Sequence, residues 1–490
     1  MMPQQPAMPS LGLSLVPVVA LILLLAADVI AFGEDSSYGA NQIAMLLAAF
    51  IAGSIGMARG VQWKPISEAI GHSVSQAAEA ILLILMIGAL SGTWLIAGII
   101  PAFIHYGLQI LEPGIFLFAA CVICGLLSLA TGSSWGTVGT VGVALVGIGT
   151  ALGLSEGWIA GAIISGAYFG DKMSPLSDTT NIAAVVGGSD LFSHIRYMTL
   201  TTVPSLLIAL TVFLIAGFGG AAAADGVSTA FADEFGVAVF EAFNIHVGLF
   251  LSPLVIILLI ARKVPAVPAL LIGTLLGAVT AVVFQPDVIR EVAGISDEAG
   301  GYALAAFKAC IQSMALDSAI STSNDMANAL LSSSGMAGML NTIWLILCAM
   351  VFGATMQATQ MLDRITQVIL SGVQSTFGLV GRTVGTCLAF NIITSDQYLA
   401  IVVPGNMLKD AYPERDLAPE NLSRTLEDSG TVTSVLIPWN TCGVAQSGIL
   451  GVATWAYLPY CIFNWVSPLM TMTVAAVGFR IKRLSDVKAN

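Results

Sequence analysis

The sequence concentrates oxygen-bearing side chains at points where its apolar segments are interrupted. In residues 174–181 (SPLSDTTN), Asp178 follows Pro175 and stands among hydroxyl side chains. Proline disfavours a continuous helix and removes a backbone donor, so this break frees carbonyl oxygens beside the Asp178 carboxylate. Carboxylate, hydroxyl and carbonyl oxygens are hard ligands that suit a small hard cation. We therefore predict an ion-binding and proton-coupling site whose side-chain ligands are Asp178, Ser174, Ser177 and Thr179.

Asp178 also has a purely structural interpretation. Aspartate and serine are favoured at the N-cap of a helix, where the side chain accepts a hydrogen bond from an exposed backbone N–H. Asp178 could therefore cap the helix that follows the break at Pro175. The two roles are compatible, since one carboxylate can cap the helix and bind a cation at different stages of a cycle.

A second carboxylate lies in a similar interruption of the C-terminal half. Residues 391–398 (NIITSDQY) contain Thr394 and Asp396, and we predict that both take part in ion binding or proton transfer. The alternative is that Asp396 caps a helix at the tip of a hairpin. Residues 427–443 form another interruption, with Pro438 as the helix break. The ion ligands predicted beside this proline are Asn440 and Thr441.

Asp171 and Lys172 are secondary candidates for the same site. Ionisable groups inside a membrane are costly, and each is a functional candidate by default. Because the two residues are adjacent, their side chains do not face each other on a helix and each needs a different partner. Lys172 could hold a carboxylate substrate, compensate an empty cation site, or act as a counter-ion to a nearby aspartate.

Other acidic residues have two interpretations that the sequence leaves open. Asp428 and its neighbour Glu427 are either functional or are acids at the membrane interface, next to the charged loop 409–424. Asp317 and Asp325 lie in a polar run that fits an outward-facing amphipathic segment or part of the ion path equally well.

The interruptions occur in pairs. Pro175 and Pro438 are 263 positions apart, and at the same offset Asp178 corresponds to Thr441. Interrupted segments at corresponding positions of two halves indicate the binding site of a transporter. We predict one repeat over residues 80–219 and a second over 339–479. The first ends near an acidic loop and the second near a basic C-terminus, and this difference indicates that the repeats are inverted in the membrane.

The composition defines the elements that must position these residues. The chain has 490 residues, 57% hydrophobic and 9% charged, and its mean hydropathy is +0.90. Soluble domains carry about 25% charged residues, so a soluble enzyme or a disordered regulator is excluded. Apolar runs such as residues 80–100 are continuous, unlike the alternating segments of a β-barrel. We therefore predict a single all-α polytopic transporter domain over residues 1–490, with ten to twelve transmembrane helices that include broken helices or re-entrant hairpins.

Charge and motifs narrow the function further. The net charge of −12 disfavours binding to nucleic acid. The sequence contains neither a phosphate-binding GxxxxGK[ST] loop nor a hydrolase motif, so we expect neither an enzyme nor a cofactor. Cys121 and Cys124 have CxxC spacing, but no further zinc ligand is near them in sequence, and we interpret them as buried thiols. Clusters of basic residues place both termini in the cytoplasm.

The residues around the first break resemble a known family. Residues 165–181 (SGAYFGDKMSPLSDTTN) closely resemble the signature of the NhaC-type Na+/H+ antiporters, which belong to the ion-transporter group of secondary carriers. Residues 394–405 (TSDQYLAIVVPG), the loop 409–430 and residues 436–441 (LIPWNT) are also similar to that family. The resemblance covers residues from about 40 to 479. It implies inverted repeats with re-entrant hairpins, and a bacterial or archaeal membrane.

The resemblance implies a secondary transporter that exchanges Na+ for H+ across the cytoplasmic membrane. Its partners would be Na+, H+ and the lipid bilayer, and a homodimer is kept as an alternative to a monomer. Some family members exchange Na+ and lactate for H+ and malate, or transport amino acids. A cation-coupled carrier of a small carboxylate or amino acid is therefore the alternative function. A channel would need a continuous pore, whereas broken helices in both halves favour alternating access.

Overall fold

The computed structural model describes residues 8–32, 38–222, 231–262, 264–294, 301–322, 328, 330–370 and 375–485. Within these residues, nine helices are long and apolar enough to cross a membrane. They are Leu11–Phe32, Ala40–Ala58, Ala78–Ile96, Pro113–Thr131, Ser134–Ala151, Leu191–Phe218, Ala266–Phe284, Gly335–Ala358 and Thr376–Ile393. Thr454–Tyr460 and Ile462–Val477 form a tenth span if the pair, bent by 52°, is counted as one. The prediction of an all-α multi-pass membrane protein is confirmed.

Shorter helices fill the space between these spans. They are Trp63–Gln76, Ile99–Ile110, Glu156–Met173, Asp178–Gly187, Phe231–Ala242, Leu251–Ala261, Pro286–Ala293, Gly301–Ala315, Met361–Leu370, Leu399–Leu408, Pro419–Leu426 and Thr441–Leu450. Strand structure in the described residues is limited to Ser318–Ala319 and Ser332–Ser333, which pair antiparallel with Ser318 opposite Ser333. Asp317 is exposed just before the first strand, and Asp325 lies outside the described residues.

The predicted interruptions coincide with helix ends. The helix Glu156–Met173 stops before Pro175, and the next helix begins at Asp178. In the C-terminal half, a 3-10 helix over Ser434–Leu436 ends before Pro438, and the next helix begins at Thr441. Upstream of this break, the helix Pro419–Leu426 continues as a π-helix over Glu427–Thr431. π-turns of this kind are rare and are frequently found at functional sites. The broken helices expected from the proline positions are therefore present.

Helices in the two halves begin at equivalent positions. Pro113–Thr131 and Thr376–Ile393 start 263 positions apart, as do Asp178–Gly187 and Thr441–Leu450. The same offset separates the starts of Glu156–Met173 and Pro419–Leu426, and of Leu191–Phe218 and Thr454–Tyr457. These spacings are the basis on which we propose that residues 80–219 and 339–479 are repeats. Their inversion in the membrane stays a prediction.

Glycines allow two helices of the N-terminal half to pack with almost no gap. A Cβ atom at Gly166 would lie 2.1 Å from the carbonyl oxygen of Cys121, and one at Gly170 would lie 2.2 Å from that of Gly125. Small residues at helix contacts permit such close backbone approach in membranes. The helix Glu156–Met173 is therefore held directly against Pro113–Thr131. Cys121 and Cys124 are free, buried thiols on the latter helix.

Gly166→Ala is expected to lower the melting temperature of the purified protein in detergent. The added methyl group has no space, so the two helices must separate, and overpacking of this kind costs about 1–3 kcal/mol. Gly381→Ala is the matched control, because a Cβ atom there meets nothing within 4 Å and alanine is the better helix former. Equal melting temperatures for the two variants would contradict this account of the contact.

Candidate ion-binding site

A buried ion pair joins the two halves of the chain. Lys172, near the end of the helix Glu156–Met173, contacts Asp428 in the π-helix, and both side chains are completely buried. The ammonium group also donates to Ser467 Oγ at 3.0 Å. Asp428 Oδ1 accepts further hydrogen bonds from Thr201 and Ser467, both at 3.1 Å. Lys172 therefore has a carboxylate counter-ion held by two hydroxyl groups.

A second buried cation lies on the other side of Asp428. Arg424 is completely buried one helical turn earlier, and its Nε atom is 3.9 Å from Asp428 Oδ2. The guanidinium group lies over the Tyr197 ring, with its central carbon 4.6 Å from the ring centroid. None of its three nitrogen atoms has a hydrogen-bond partner among the described residues. Buried donors are usually satisfied, so Arg424 is an unusual element of this centre.

Asp171 points away from Lys172 and binds a different element. Its Oδ2 atom accepts hydrogen bonds from the Ser134 backbone N–H at 3.2 Å and from the Ser134 hydroxyl at 2.7 Å. Asp171 forms no salt bridge with any basic residue that the structure describes. A hydroxyl group and a backbone N–H at the start of the span Ser134–Ala151 therefore stabilise the Asp171 carboxylate.

Glu427 is another interior carboxylate without a basic partner in the described part of the chain. It is completely buried at the first residue of the π-helix. Its Oε1 atom accepts a hydrogen bond from the Thr179 hydroxyl at 3.1 Å, whereas Oε2 has no partner among the described residues. Glu427 and Asp428 are both buried within the protein, so neither is a solvent-exposed acid. Their functional role stays a prediction.

Hydroxyl groups connect the first break to Glu427. The Ser177 hydroxyl lies 3.0 Å from that of Thr179, which in turn donates to Glu427. Ser177 is also the N-cap of the helix Asp178–Gly187, because its Oγ accepts from the Thr180 N–H. Asp178 is the first residue of this helix and is exposed. The capping role considered for Asp178 thus belongs to Ser177, and the role of Asp178 as an ion ligand stays a prediction.

Polar side chains inside the first break satisfy several of its backbone groups. Asn181 donates to the Pro175 carbonyl at 3.1 Å, and Thr180 donates to the Lys172 carbonyl at 3.0 Å. Ser174 Oγ accepts from the Leu176 N–H at 3.2 Å. Some of the backbone carbonyl oxygens that the sequence suggested as ion ligands therefore already accept hydrogen bonds. Side-chain oxygens remain the principal candidates for ion ligands.

The second break is tied to the stretch around Asp396. Asn440 caps the helix Thr441–Leu450 by accepting from the Cys442 N–H at 3.0 Å, and it donates to Asn391 Oδ1 at 3.1 Å. The Thr441 N–H donates to the Ser395 carbonyl at 2.9 Å. Hydrogen bonds from the Asn440 side chain and from the Thr441 backbone therefore join the two interruptions of the C-terminal half.

Asp396 and Thr394 make local hydrogen bonds within this stretch. Asp396 Oδ1 accepts from the Leu399 N–H at 2.8 Å, as expected for the capping alternative. The Thr394 hydroxyl donates to the Phe390 carbonyl at 2.8 Å, a bond within its own helix. Between them, Ser395 has a φ of +57°, which L-residues rarely adopt.

The helix Asp178–Gly187 brings the two halves together. It packs against Leu399–Leu408 and Pro419–Leu426, both from the C-terminal half. The helix that begins at Asp178 therefore packs directly against the helix that follows Asp396.

Sequence reasoning missed several residues of this centre. Arg424 and the hydroxyl residues that hold Asp428 and Asp171 were not among the candidates, and Glu427 was only an open alternative. One signal was available, because Arg424, Glu427 and Asp428 follow i, i+3, i+4 spacing and share one helix face. The missed hydroxyl residues are Ser134, Thr201 and Ser467.

Comparisons with known proteins agree over nearly the whole chain. Residues 166–479 match the model of the Na+/H+ antiporter family. The malate-2H(+)/Na(+)-lactate antiporter of Bacillus subtilis is 35% identical, over 92% of this chain and 91% of the relative. The Na(+)/H(+) antiporter NhaC of Alkalihalophilus pseudofirmus is 34% identical, over 90% of each chain. The arginine/ornithine antiporter ArcD of Halobacterium salinarum is 33% identical, over 96% of this chain and 93% of the relative.

Proposed function

The chain belongs to the Na+/H+ antiporter family, and from this premise we propose that it is a secondary active transporter that exchanges Na+ for H+. The observation that carries the proposal is a pair of interior carboxylates, Asp171 and Glu427, which lack a basic partner among the described residues and are surrounded by hydroxyl groups. An uncompensated carboxylate inside a membrane is costly. A bound Na+ or a bound proton removes this cost, so the two ions replace each other.

We propose that Asp178 and Asp396 contribute to the same ion path. Asp178 is exposed at the start of its helix, where a hydrated cation can reach it, and the next residue, Thr179, contacts Glu427 in the interior. Asp396 accepts a hydrogen bond from the Leu399 N–H through Oδ1, and Oδ2 is the atom that we propose as its ion ligand. The oxygen ligands proposed with them are Ser174, Ser177, Thr179, Thr394, Asn440 and Thr441. Pro175 and Pro438 provide the breaks at which these groups converge.

A specific observation favours the alternative function as well. A small carboxylate or amino-acid substrate needs a positive partner, and among the described residues Lys172 and Arg424 are completely buried cations. Lys172 is already paired with Asp428, whereas Arg424 has no hydrogen-bond partner among the described residues. Two of the relatives named above are antiporters of organic ions. Arg424 is therefore the residue that we assign to carboxylate binding if the substrate is organic.

We propose that the protein resides in the cytoplasmic membrane with both termini in the cytoplasm. The basic residues Arg59, Arg262 and Arg480 follow apolar segments at three points of the chain. Arg59 and Arg480 flank helices that end at Ala58 and Val477. Positively charged loops remain on the cytoplasmic side during membrane insertion. The homodimer stays a prediction.

Proteoliposomes that contain a pH-sensitive dye test the proposed exchange. If the protein is a Na+/H+ antiporter, an inward Na+ gradient alone is expected to drive protons out and alkalinise the lumen, while K+ at equal concentration serves as the control. Protein-free liposomes measure the passive leak of protons across the membrane. A pH change that appears only when lactate, malate or arginine is added would replace Na+/H+ exchange by the alternative function.

A further inference from the structure

The charge balance of the interior singles out Glu427. Asp428, the next residue, faces Lys172 and Arg424 and accepts two hydroxyl hydrogen bonds. Glu427 is equally buried, yet it forms no salt bridge with a described basic residue and leaves Oε2 unpartnered. Burial of an unpaired carboxylate needs a compensating ion or proton. Of these two adjacent acids, only Asp428 therefore lies within salt-bridge distance of a described basic residue.

Hard oxygen atoms surround the Glu427 carboxylate. Thr179 donates to Oε1 from the first break, and Ser177 stands behind it at 3.0 Å. Thr431, at the other end of the same π-helix, places its buried hydroxyl beside the carboxylate, and this hydroxyl has no other hydrogen-bond partner among the described residues. Hydroxyl and carboxylate oxygens are the ligands expected for a small hard cation. The unsatisfied atoms, Glu427 Oε2 and Thr431 Oγ1, come from one helical turn.

We infer that the cation site of this transporter is centred on Glu427, with Thr179 and Thr431 as co-ligands. Glu427 binds Na+ in one state and the exchanged proton in the other. This inference rests on the proposed function, and it names the interior residue that binds the exchanged cation. Thr179 follows the exposed Asp178 directly, so an ion that reaches Asp178 passes to Glu427 along one edge of the break.

A structural role for Glu427 makes different predictions from an ion-binding role. If Glu427 were only a protonated acid hydrogen-bonded to Thr179, its removal would change stability equally with and without Na+. If it binds Na+, the ion stabilises the folded protein, because a ligand that binds only the native state raises the melting temperature. The shift of melting temperature with Na+ concentration therefore separates the two roles.

The experiment measures this shift in detergent and Na+-driven proton movement in proteoliposomes. The wild type is expected to melt at higher temperature in NaCl than in choline chloride. Glu427→Gln should lose this shift and at least tenfold of the exchange rate. Thr179→Val should raise the half-saturating Na+ concentration about tenfold, and Thr179→Ser should restore it. Glu156→Gln is the control, since Glu156 is an exposed acid at the far end of the helix that carries Asp171.

The outcomes separate this inference from the proposed function. If the wild type shows Na+-driven exchange and Glu427→Gln retains both the exchange and the Na+-dependent shift, the inference is overturned and the function stands. If the wild type shows no response to Na+ in either assay, the function fails and the inference fails with it. Should Glu427→Gln not fold, Thr179→Val decides the question, and a wild-type Na+ dependence in that variant overturns the inference.

Discussion

Lys172→Met is expected to prevent the protein from accumulating in a folded form. The substitution leaves the Asp428 carboxylate completely buried with Arg424 as its nearest cation, and the Arg424 Nε atom is 3.9 Å away. Removal of one partner from a buried ion pair costs about 3–5 kcal/mol. The measurement is the yield of monodisperse protein in size-exclusion chromatography, followed by its melting temperature.

Neutralising the partner should reverse part of this loss. The double variant Lys172→Met/Asp428→Asn removes both charges of the pair but leaves Arg424 without its carboxylate partner, so only part of the folded yield is expected to return. Lys308→Met, at a partly buried lysine that donates to the Ala293 carbonyl, controls for loss of a lysine. If Lys172→Met alone gives wild-type yield and melting temperature, the ion pair contributes little to the fold. The interior charge balance described above would then need revision.

Asp178→Asn is expected to abolish Na+-driven proton movement in proteoliposomes while the protein remains folded. Asp178 is exposed and its helix is capped by Ser177, so the loss of the charge removes no buried contact. The exchange rate at saturating Na+ should fall to the level of protein-free liposomes. In the wild type, the apparent Na+ affinity should weaken as pH falls, because protons and Na+ compete for the same carboxylates.

Two comparisons make the Asp178 result interpretable. Glu156→Gln neutralises another exposed acid of the N-terminal half and should leave exchange unchanged. The melting temperature of Asp178→Asn should equal that of the wild type within measurement error. Exchange at the wild-type rate in Asp178→Asn would exclude Asp178 from the ion path, and the ion would then have to reach Glu427 by another route.

Features that depend on local sequence could be predicted. Pro175 and Pro438 disrupt a helix wherever they stand, and the apolar runs identify membrane-spanning helices by length alone. The helix breaks and the all-α fold class could therefore be predicted from the sequence alone. The 263-residue offset could also be predicted, because it follows from matching residue types in the two halves. The same offset separates the first residues of several pairs of helices.

The interior contacts could not be predicted, because they join residues far apart in the chain. Lys172 and Asp428 are separated by 256 positions, and Thr179 and Glu427 by 248. Nothing in the local sequence distinguishes Glu427, which lacks a basic partner in the described structure, from Asp428, which has one. The exposure of Asp178 also depends on helices from the other half, since those helices determine which side of the break is covered.

The span between Lys172 and Asp428 has a consequence for the biogenesis of the protein. Chains are synthesised at about 5–20 residues per second, so the 256 residues between the partners take roughly 10–50 s to make. During this interval the ribosome has delivered Lys172 to the membrane but not yet the carboxylate that neutralises it. The ammonium group must stay hydrated until then. The helix Glu156–Met173 therefore reaches its final depth only after the second half has been inserted, although it is among the earlier helices to be made.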